Sequence, residues 1–117
     1  MSPADYLATL ADPTRLRILS CLAAAPLYVS DLVAVLCLPQ PTVSRHLRVL
    51  RTLGLATNQR YATRMAYRLS LPAGAQGRMV RGVLHALRAD PTFRVDAAAA
   101  RVLVETRVAV PQSVHVP

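Results

Sequence analysis

The feature that most restricts the fold of this chain is a short amphipathic segment, 41–53, that opens with a proline and is followed by Gly54. Val43, Leu47 and Leu50 recur at i, i+4 and i+7, so they share one face of an α-helix. Proline fits the first position of a helix, where no backbone N–H is needed, and glycine fits the position just after its end. The segment is therefore predicted to be a helix with one apolar face and one polar face.

Three further helices are predicted upstream of this segment. Residues 3–10 form the first. Asp12 caps the second, which opens with the following proline and runs to about Ala24. Ser30 is predicted to cap a short third helix, 30–37, whose first turn holds an acidic residue that suits the helix dipole. A tight turn then joins the third helix to the amphipathic one.

The apolar period changes after the amphipathic helix. Residues 55–60 and 65–71 are predicted to be two β-strands, since apolar and polar residues alternate along the second, and 61–64 joins them as a hairpin. Because the tip has neither glycine nor asparagine, a tight two-residue turn of the primed type is not expected. A fifth helix is predicted at about 74–88.

The predicted order is four helices, a hairpin and a fifth helix, so the fold class is mostly α with a small β-hairpin. Two short helices joined by a tight turn, with a basic hairpin directly after them, are the arrangement of a winged helix-turn-helix. The second helix of that motif is apolar behind and polar in front, because the major groove of DNA displays a distinct pattern of donors and acceptors for each base pair. The arrangement therefore favours a DNA-binding domain.

The C-terminal part of the chain is predicted to extend this domain. We assign 1–90 to the DNA-binding and dimerisation domain, and 91–117 to an extension that is part helical and then a loose tail. Pro91 is expected to break the chain before a helix at 95–107. One apolar side of that helix is predicted to hold Val95, Ala99, Val102 and Leu103. This side either extends a dimer interface or helps to form a ligand pocket.

The charge of the chain points to a polyanionic partner. All 14 basic residues are arginines, the net charge is +8, and the pI is about 11.0. Nucleic acid and an anionic membrane are the two candidates. A membrane-surface role needs a basic amphipathic helix, whereas these arginines are spread over several elements. Double-stranded DNA is the favoured partner.

The polar face of the amphipathic helix and the hairpin supply the candidate contacts. From the residues themselves these are Gln40, Thr42, Ser44, Arg45, Arg48, Arg60 and Arg64. Arg45 and Arg48 suit either bidentate binding of guanine or clamping of phosphates, and Gln40 suits adenine. Gln40 also lies at the helix N-terminus, where free N–H groups favour phosphate. Arg60 and Arg64 flank the hairpin tip, which would reach a DNA backbone or a minor groove.

Other classes of function find little support in the sequence. An enzyme is not predicted, because the six acidic residues are scattered and no glycine-rich phosphate loop or paired carboxylates occur. A winged helix that binds protein or RNA stays an alternative, although it would be expected to have an uncharged reading helix and a hydrophobic wing. The first ten residues do not form a signal peptide, and no apolar stretch is long enough to span a bilayer, so a cytoplasmic location is expected.

Three stretches carry a resemblance to a known family. They are LADPTRLRILSCL (10–22), DLVAVLCLPQPTVSRHLRVLRTLGL (31–55) and MAYRLS (65–70). In order and spacing they closely resemble the ArsR/SmtB family of bacterial repressors. The resemblance implies a homodimer built from the first and fifth helices, repression by occupying an operator, and an effector that lowers DNA affinity. It also adds His46 to the DNA-contact candidates, although His46 lies at the edge of the apolar face and could instead orient the helix.

The sequence departs from this family where its members bind metals. Arsenite-sensing members often carry a Cys-x-Cys pair at the start of the third helix, where this chain has Tyr28-Val29-Ser30. Zinc-sensing members use Asp, His and Glu on the fifth helix, where this chain offers His85, with Asp90 beyond the end. One histidine does not make a tetrahedral site. No metal ligand or cofactor is therefore assigned, the effector is unknown, and a metal or metalloid effector stays open.

Cys21 and Cys37 are the remaining sensory candidates. Some thiol-switch members of the family carry a cysteine at the position that Cys21 matches, but their partner cysteine lies on the fifth helix, where this chain has none. Small buried thiols usually pack as hydrophobic groups. A thiol-based redox or soft-metal sensor that uses Cys21 and Cys37 is the alternative to a packing role.

Overall fold

Six α-helices and three short β-strands make up the fold, which a computed structural model describes over residues 1–107. In chain order they are α1 (Pro3–Leu10), α2 (Pro13–Ala24), β1 (Leu27–Tyr28), α3 (Val29–Leu36), α4 (Gln40–Thr52), β2 (Ala56–Tyr61), β3 (Arg64–Leu69), α5 (Gly74–Arg88) and α6 (Pro91–Glu105). The helices of the helix-turn-helix are α3 and α4, and β2 and β3 form the wing. The winged helix-turn-helix predicted from the sequence is confirmed.

Asp12 begins α2 as predicted. Its Oδ1 accepts hydrogen bonds from the backbone N–H groups of Thr14, at 2.8 Å, and Arg15, at 3.1 Å. Pro13 fills the first helical position. At the other end of the motif, Gly54 follows α4 with φ of +78°, a left-handed conformation that glycine adopts without a steric cost.

The predicted cap at Ser30 is wrong, because α3 begins one residue earlier, at Val29. Tyr28 is the N-cap, and the Asp31 carboxylate accepts a hydrogen bond from its backbone N–H at 2.7 Å. The start of α3 is set by strand β1, since Leu27 and Tyr28 pair with β3 and hold the chain extended up to that point. A strand of two residues is too short to show an alternation of apolar and polar residues in the sequence.

The two strands of the wing join β1 in one antiparallel sheet, in the order β1-β3-β2. Tyr61 pairs with Arg64, so the hairpin loop consists of only two residues, Ala62 and Thr63. Ala62 has φ of 56°. The expectation that this tip is not a tight turn is therefore wrong: Ala62 takes the positive φ for which glycine or asparagine is usually used.

The apolar face of α4 forms the centre of the core. Val43, Leu47 and Leu50 are completely buried, as their spacing predicts. They belong to one cluster with residues of α2, α3, the wing and α5. The polar face of α4 consequently has to point outward, since the helix cannot rotate without exposing these three side chains.

Helix α6 begins before the predicted segment 95–107, and Val95 and Val102 are not among the residues that it buries. Pro91 starts this helix instead of breaking the chain, because the Asp90 carboxylate accepts a hydrogen bond from the N–H of Thr92 at 2.9 Å. On the predicted apolar side, Val95 is 67% exposed and Val102 is 58% exposed, so that side does not pack inside the chain. Its role, in a dimer interface or in a ligand pocket, stays a prediction. The residues of α6 that are buried are Asp96 and Ala100.

The buried side of α6 packs on α2 and α3, and Ala100 joins the main core cluster. A domain boundary between 90 and 91 stays a prediction. The predicted loose tail at 111–117 lies outside the described residues. Within residues 1–107, no helix is both long enough and apolar enough to cross a membrane.

Candidate nucleic-acid interface

The outward face of α4 carries the residues predicted to contact DNA. Gln40, Arg45 and Arg48 are exposed, and Thr42 and Ser44 are half-buried beside them. Within residues 1–107, neither Arg45 nor Arg48 has an ion pair with an acidic side chain. These two guanidinium groups are therefore available for an external acceptor, such as a base edge or a phosphate.

The first turn of α4 offers fewer free backbone donors than the sequence predicts. The N–H groups of Thr42 and Val43 both donate to the carbonyl oxygen of Pro39, at 3.1 Å each, and Pro41 has no N–H. The side-chain amide of Gln40 donates to the Ser44 hydroxyl at 2.7 Å. Any contact made by this turn consequently depends on side chains more than on the backbone.

A basic groove beside the C-terminal half of α4 contains residues that the sequence prediction omitted. It has a volume of about 690 Å³ and is lined by Arg48, Arg51, Thr52, Ala56, Thr57 and Asn58. Arg51 is exposed and lies one turn beyond Arg48 on α4. The i, i+3 spacing of these two arginines was the available signal. Groups of this kind bind the phosphate backbone of a duplex.

His46 turns away from the exposed face. Its side chain is 12% exposed, and its Nδ1 lies 4.0 Å from Asp12 Oδ1, with no hydrogen-bond partner. Burial lowers the pKa of His46, and the nearby Arg15 and Arg45 lower it further, against an opposing effect of Asp12. A neutral imidazole in this position packs α4 against the start of α2, which favours an orienting role for His46.

Asp12 lies beside His46, and its pKa is also lowered, which for a carboxyl group favours the charged form. Burial acts to raise the pKa of Asp12, but hydrogen bonds from the N–H groups of Arg15 and Thr14, with the charges of His46 and Arg15, leave it lowered. Asp12 thus stays a carboxylate that caps α2.

The two wing arginines have different surroundings. Arg60 is exposed on β2, directly before the turn residues. The guanidinium of Arg64 lies over the ring of Tyr28, 3.8 Å from its centroid, and donates to the Ser30 hydroxyl at 3.0 Å. Arg64 therefore ties the wing to the start of α3, whereas Arg60 projects from it.

The start of α3 is occupied by a stacked and charged cluster in place of thiolates. Arg107 lies within 5.1 Å of the Tyr28 ring centroid and forms an ion pair with Asp31 at 2.6 Å. Asp31 is buried, and its carboxylate is satisfied by this ion pair and by the Tyr28 N–H. This arrangement links the end of α6 to the helix-turn-helix.

The two cysteines are free thiols in different environments. Cys21 is fully buried, and burial first, then Asp96, raises its pKa to about 12, against an opposing effect of Arg17. Cys37 is exposed at the end of α3, where it takes a left-handed φ of 55°. The thiolate is the form that reacts and binds metals, so the environment of Cys21 suits packing better than sensing.

The other candidate ligands are dispersed. His85 is exposed on α5, and the Asp90 carboxylate is engaged as the cap of α6. Over the described range, 1–107, no three side chains of His, Cys, Asp or Glu gather in a way that could hold a metal ion.

Known proteins resemble this chain in both sequence and structure. Residues 12–58 match the pattern of a family described as bacterial regulatory protein, arsR family. The HTH-type transcriptional regulator NmtR of Mycobacterium tuberculosis (strain ATCC 25618 / H37Rv) is 44% identical over 66 residues, which are 56% of this chain and 55% of NmtR. The transcriptional repressor SmtB homolog of Synechocystis sp. (strain ATCC 27184 / PCC 6803 / Kazusa) is 39% identical over 67 residues, 57% and 51% of the two chains.

The chain spans about half the length of these curated relatives. Among solved structures, HlyU from Vibrio cholerae N16961 superposes with a TM-score of 0.60 at 33% sequence identity. That match covers 72% of this chain and 89% of HlyU. The similarity to HlyU therefore extends well beyond the residues matched by the family pattern.

Proposed function

Because this chain belongs to the ArsR family of bacterial regulatory proteins, we propose that it is a sequence-specific DNA-binding transcriptional repressor that an effector releases from its operator. One observation carries the proposal: α4 buries its whole apolar face, while the opposite face exposes Arg45 and Arg48 without acidic partners among residues 1–107. A helix with this arrangement fits the major groove of DNA. Such a protein acts on the bacterial chromosome by binding, so we expect it in the cytoplasm and without a catalytic step.

The contacts divide into two groups. Gln40, Thr42, Ser44, Arg45 and Arg48 face the base edges from α4, with Arg45 and Arg48 suited to guanine. The phosphate backbone is bound by other residues.

Phosphate contacts come from both sides of the reading helix. Arg51 and Thr57 line the groove beside the end of α4, and Arg60 extends from the wing. Arg64 supports the wing through Tyr28 and makes no base contact in this proposal. His46 holds α4 at its angle to α2.

A homodimer completes the DNA-binding unit. A domain of this size buries only part of its apolar surface, and Leu7 on α1 is 41% exposed. Pairing through α1 and α5 would cover such residues. Two reading helices would then lie about one turn of DNA apart, roughly 34 Å, on a pseudo-palindromic operator.

The test is fluorescence anisotropy of the full chain with the DNA upstream of its own gene and with random DNA of equal length. Tight binding to the upstream DNA, poorly competed by random DNA, supports the proposal. Arg45→Ala is expected to lose about 1–3 kcal/mol of that affinity, whereas the matched control Arg101→Ala, which removes the same charge from α6, is expected to keep it.

Equally weak binding of upstream and random DNA at physiological salt would contradict the repressor proposal. A winged helix that binds protein or RNA would then be the favoured function. Sedimentation velocity on the same samples tests the dimer, and a monomer that binds upstream DNA with full affinity would remove that part of the proposal.

A further inference from the structure

A groove on the side of the molecule formed by α2, α5 and α6 has no role in the proposed DNA interface. Its volume is about 620 Å³, within the range of small-molecule sites. Its walls are apolar over much of their area: Leu84 and Leu87 come from α5, Ala23 from α2 and Phe93 from the start of α6. A ligand with an apolar body fits such a groove.

The α6 side of the groove includes one regular helical stripe. Arg94, Ala97, Ala98 and Arg101 follow one another at i, i+3, i+4 and i+7, so two arginines flank two small residues. The alanines leave the groove open where larger side chains would fill it. The arginines frame that opening at both ends.

The groove is strongly basic. Arg88, at the end of α5, adds a third guanidinium group to Arg94 and Arg101, and no acidic residue lines the groove. None of the three forms an ion pair within the described residues 1–107. Three guanidinium groups without acidic partners give the groove a positive charge, so a bound anion gains charge-assisted hydrogen bonds from them.

A second polar feature lies in the groove wall. Ser20 lines the groove and is 7% exposed, and its hydroxyl has no hydrogen-bond partner. A buried hydroxyl without a partner is unfavourable, and most such groups in proteins are satisfied. The wall thus holds a hydroxyl that no group of residues 1–107 satisfies.

From these observations we propose that the α2–α5–α6 groove binds an anionic amphiphile, a carboxylate with an aliphatic or aryl body, whose charged end binds to the arginines that line the groove, Arg88, Arg94 and Arg101. The apolar body then lies along Leu84, Leu87 and the alanines of α6. Binding to the groove does not depend on the proposed function, whereas an effector role of the ligand rests on it.

The groove connects to the DNA interface through the far side of α6. Asp96 of α6 forms an ion pair with Arg17 of α2 at 2.7 Å, and Arg107 beyond α6 forms one with Asp31 of α3 at 2.6 Å. A ligand that moves α6 relative to α5 shifts two connections to the elements that support α4. For the ligand to release DNA, it must bind the conformation with shifted ion pairs more tightly than the DNA-binding conformation.

Isothermal titration calorimetry with decanoate tests the binding, with decyltrimethylammonium and decanol as cationic and neutral controls of the same chain length. One decanoate per chain is expected, bound about tenfold more tightly than decyltrimethylammonium. Absence of decanoate binding, or equal binding of the two ions, would overturn the proposal.

Variants locate the site. Arg94→Gln and Arg101→Gln are each expected to weaken decanoate binding by about three- to tenfold, whereas Arg81→Gln, on α5 but not in the groove, leaves it unchanged. Ala98→Trp places a large side chain at an exposed position and is expected to abolish binding while circular dichroism and Tm stay close to those of the parent protein. An equal loss in Arg81→Gln would place decanoate elsewhere. Unchanged decanoate binding in Ala98→Trp, with a loss of self-association, would make the groove an interface between copies of the chain.

The effector role has a separate measurement. Decanoate is expected to raise the Kd for upstream DNA in the parent protein and to leave that Kd unchanged in Ala98→Trp. Binding of decanoate without any change in DNA affinity would overturn the effector role alone. A protein that binds decanoate but no DNA would contradict the proposed function and leave the groove assignment standing.

Discussion

Arg17 and Asp96 form a two-point ion pair between α2 and α6, although 79 positions separate them in the chain. Nε of Arg17 donates to Oδ2 of Asp96 at 2.7 Å, and Nη2 donates to Oδ1 at 3.0 Å. The carboxylate is 7% exposed and the guanidinium side chain 29%. The hydrogen bonds to Asp96 hold the pKa of Arg17 above its usual value. This pair sets which face of α6 points inward.

Removing one partner of this pair should destabilise the protein. Arg17→Gln leaves the Asp96 carboxylate buried without its cation, and we expect a loss of about 1–3 kcal/mol in the free energy of unfolding, less than for a fully buried pair because Arg17 is partly solvated. Urea unfolding measures it. The control Arg78→Gln removes an exposed arginine of α5 and should change stability by no more than about 0.5 kcal/mol. Equal stability of both variants would mean that the pair contributes nothing.

The pKa of Cys21 predicts an alkaline loss of stability. Its folded pKa is about 12, against about 9 for a free thiol, so between pH 9 and 12 the unfolded chain loses this proton and the folded chain keeps it. The unfolded state therefore binds fewer protons, and stability falls as the pH rises through that window. Cys21→Ala should flatten the pH dependence of urea unfolding there, even though it lowers stability at neutral pH.

Alkylation of the native protein offers an independent check on the two thiols. Cys37 is exposed and should react with iodoacetamide at neutral pH, while Cys21 should react only after unfolding. Rapid alkylation of Cys21 in the native protein would contradict its assignment as a packing residue and would favour the thiol-sensor alternative.

His46 predicts an opposite pH dependence on the acid side. Because its folded pKa is lowered, the unfolded state takes up a proton first as the pH falls below the ordinary value for histidine. The stability associated with the neutral imidazole is present above that value and lost as the pH falls. His46→Gln should reduce the slope of stability as the pH falls below about 6.5, a range that begins above the titration of Asp12. An unchanged slope would argue against the buried, neutral state.

Substitution by alanine should lower the stability of the protein at one glycine of α5 and raise it at another. A Cβ at Gly77 would lie 1.9 Å from the carbonyl oxygen of Pro72, which is backbone and cannot rotate away, whereas a Cβ at Gly82 meets nothing within 4 Å. Gly77→Ala should cost about 1–3 kcal/mol, and Gly82→Ala should gain about 0.5–1 kcal/mol from helix propensity. Thermal unfolding of the pair tests this, and a Gly77→Ala variant as stable as the parent would show that the approach of α5 to Pro72 is adjustable.

The DNA contacts should separate by their dependence on salt. Arg51→Ala removes a phosphate contact, so affinity should fall for all sequences alike and the salt slope should shrink by about 1. Arg45→Ala should instead reduce the preference for the upstream site over random DNA. Anisotropy titrations across a salt series distinguish the two, and identical effects of both variants would contradict the division into phosphate and base contacts.

Local patterns in the sequence determined the helix-turn-helix and its reading face. Asp12 caps α2 through its own neighbours, and Val43, Leu47 and Leu50 lie on one side of α4 because a helix has a period of 3.6 residues. The candidate contacts at Arg45 and Arg48 follow from that period alone, since they occupy the side opposite to the buried one. Each of these features depends on interactions within a few residues.

Only the tertiary structure decided the features that depend on distant partners. Strand β1 forms because Leu27 and Tyr28 pair with β3. This pairing keeps the chain extended up to Tyr28, so α3 begins at Val29. The inward face of α6 holds Asp96 instead of the more apolar Val95 because Arg17 lies opposite it. Spacing along a chain reports which residues share a face, but which face is buried is set by the partner that the fold brings to it. For that reason the sequence left open whether the last helix extends a dimer interface or helps to form a ligand pocket.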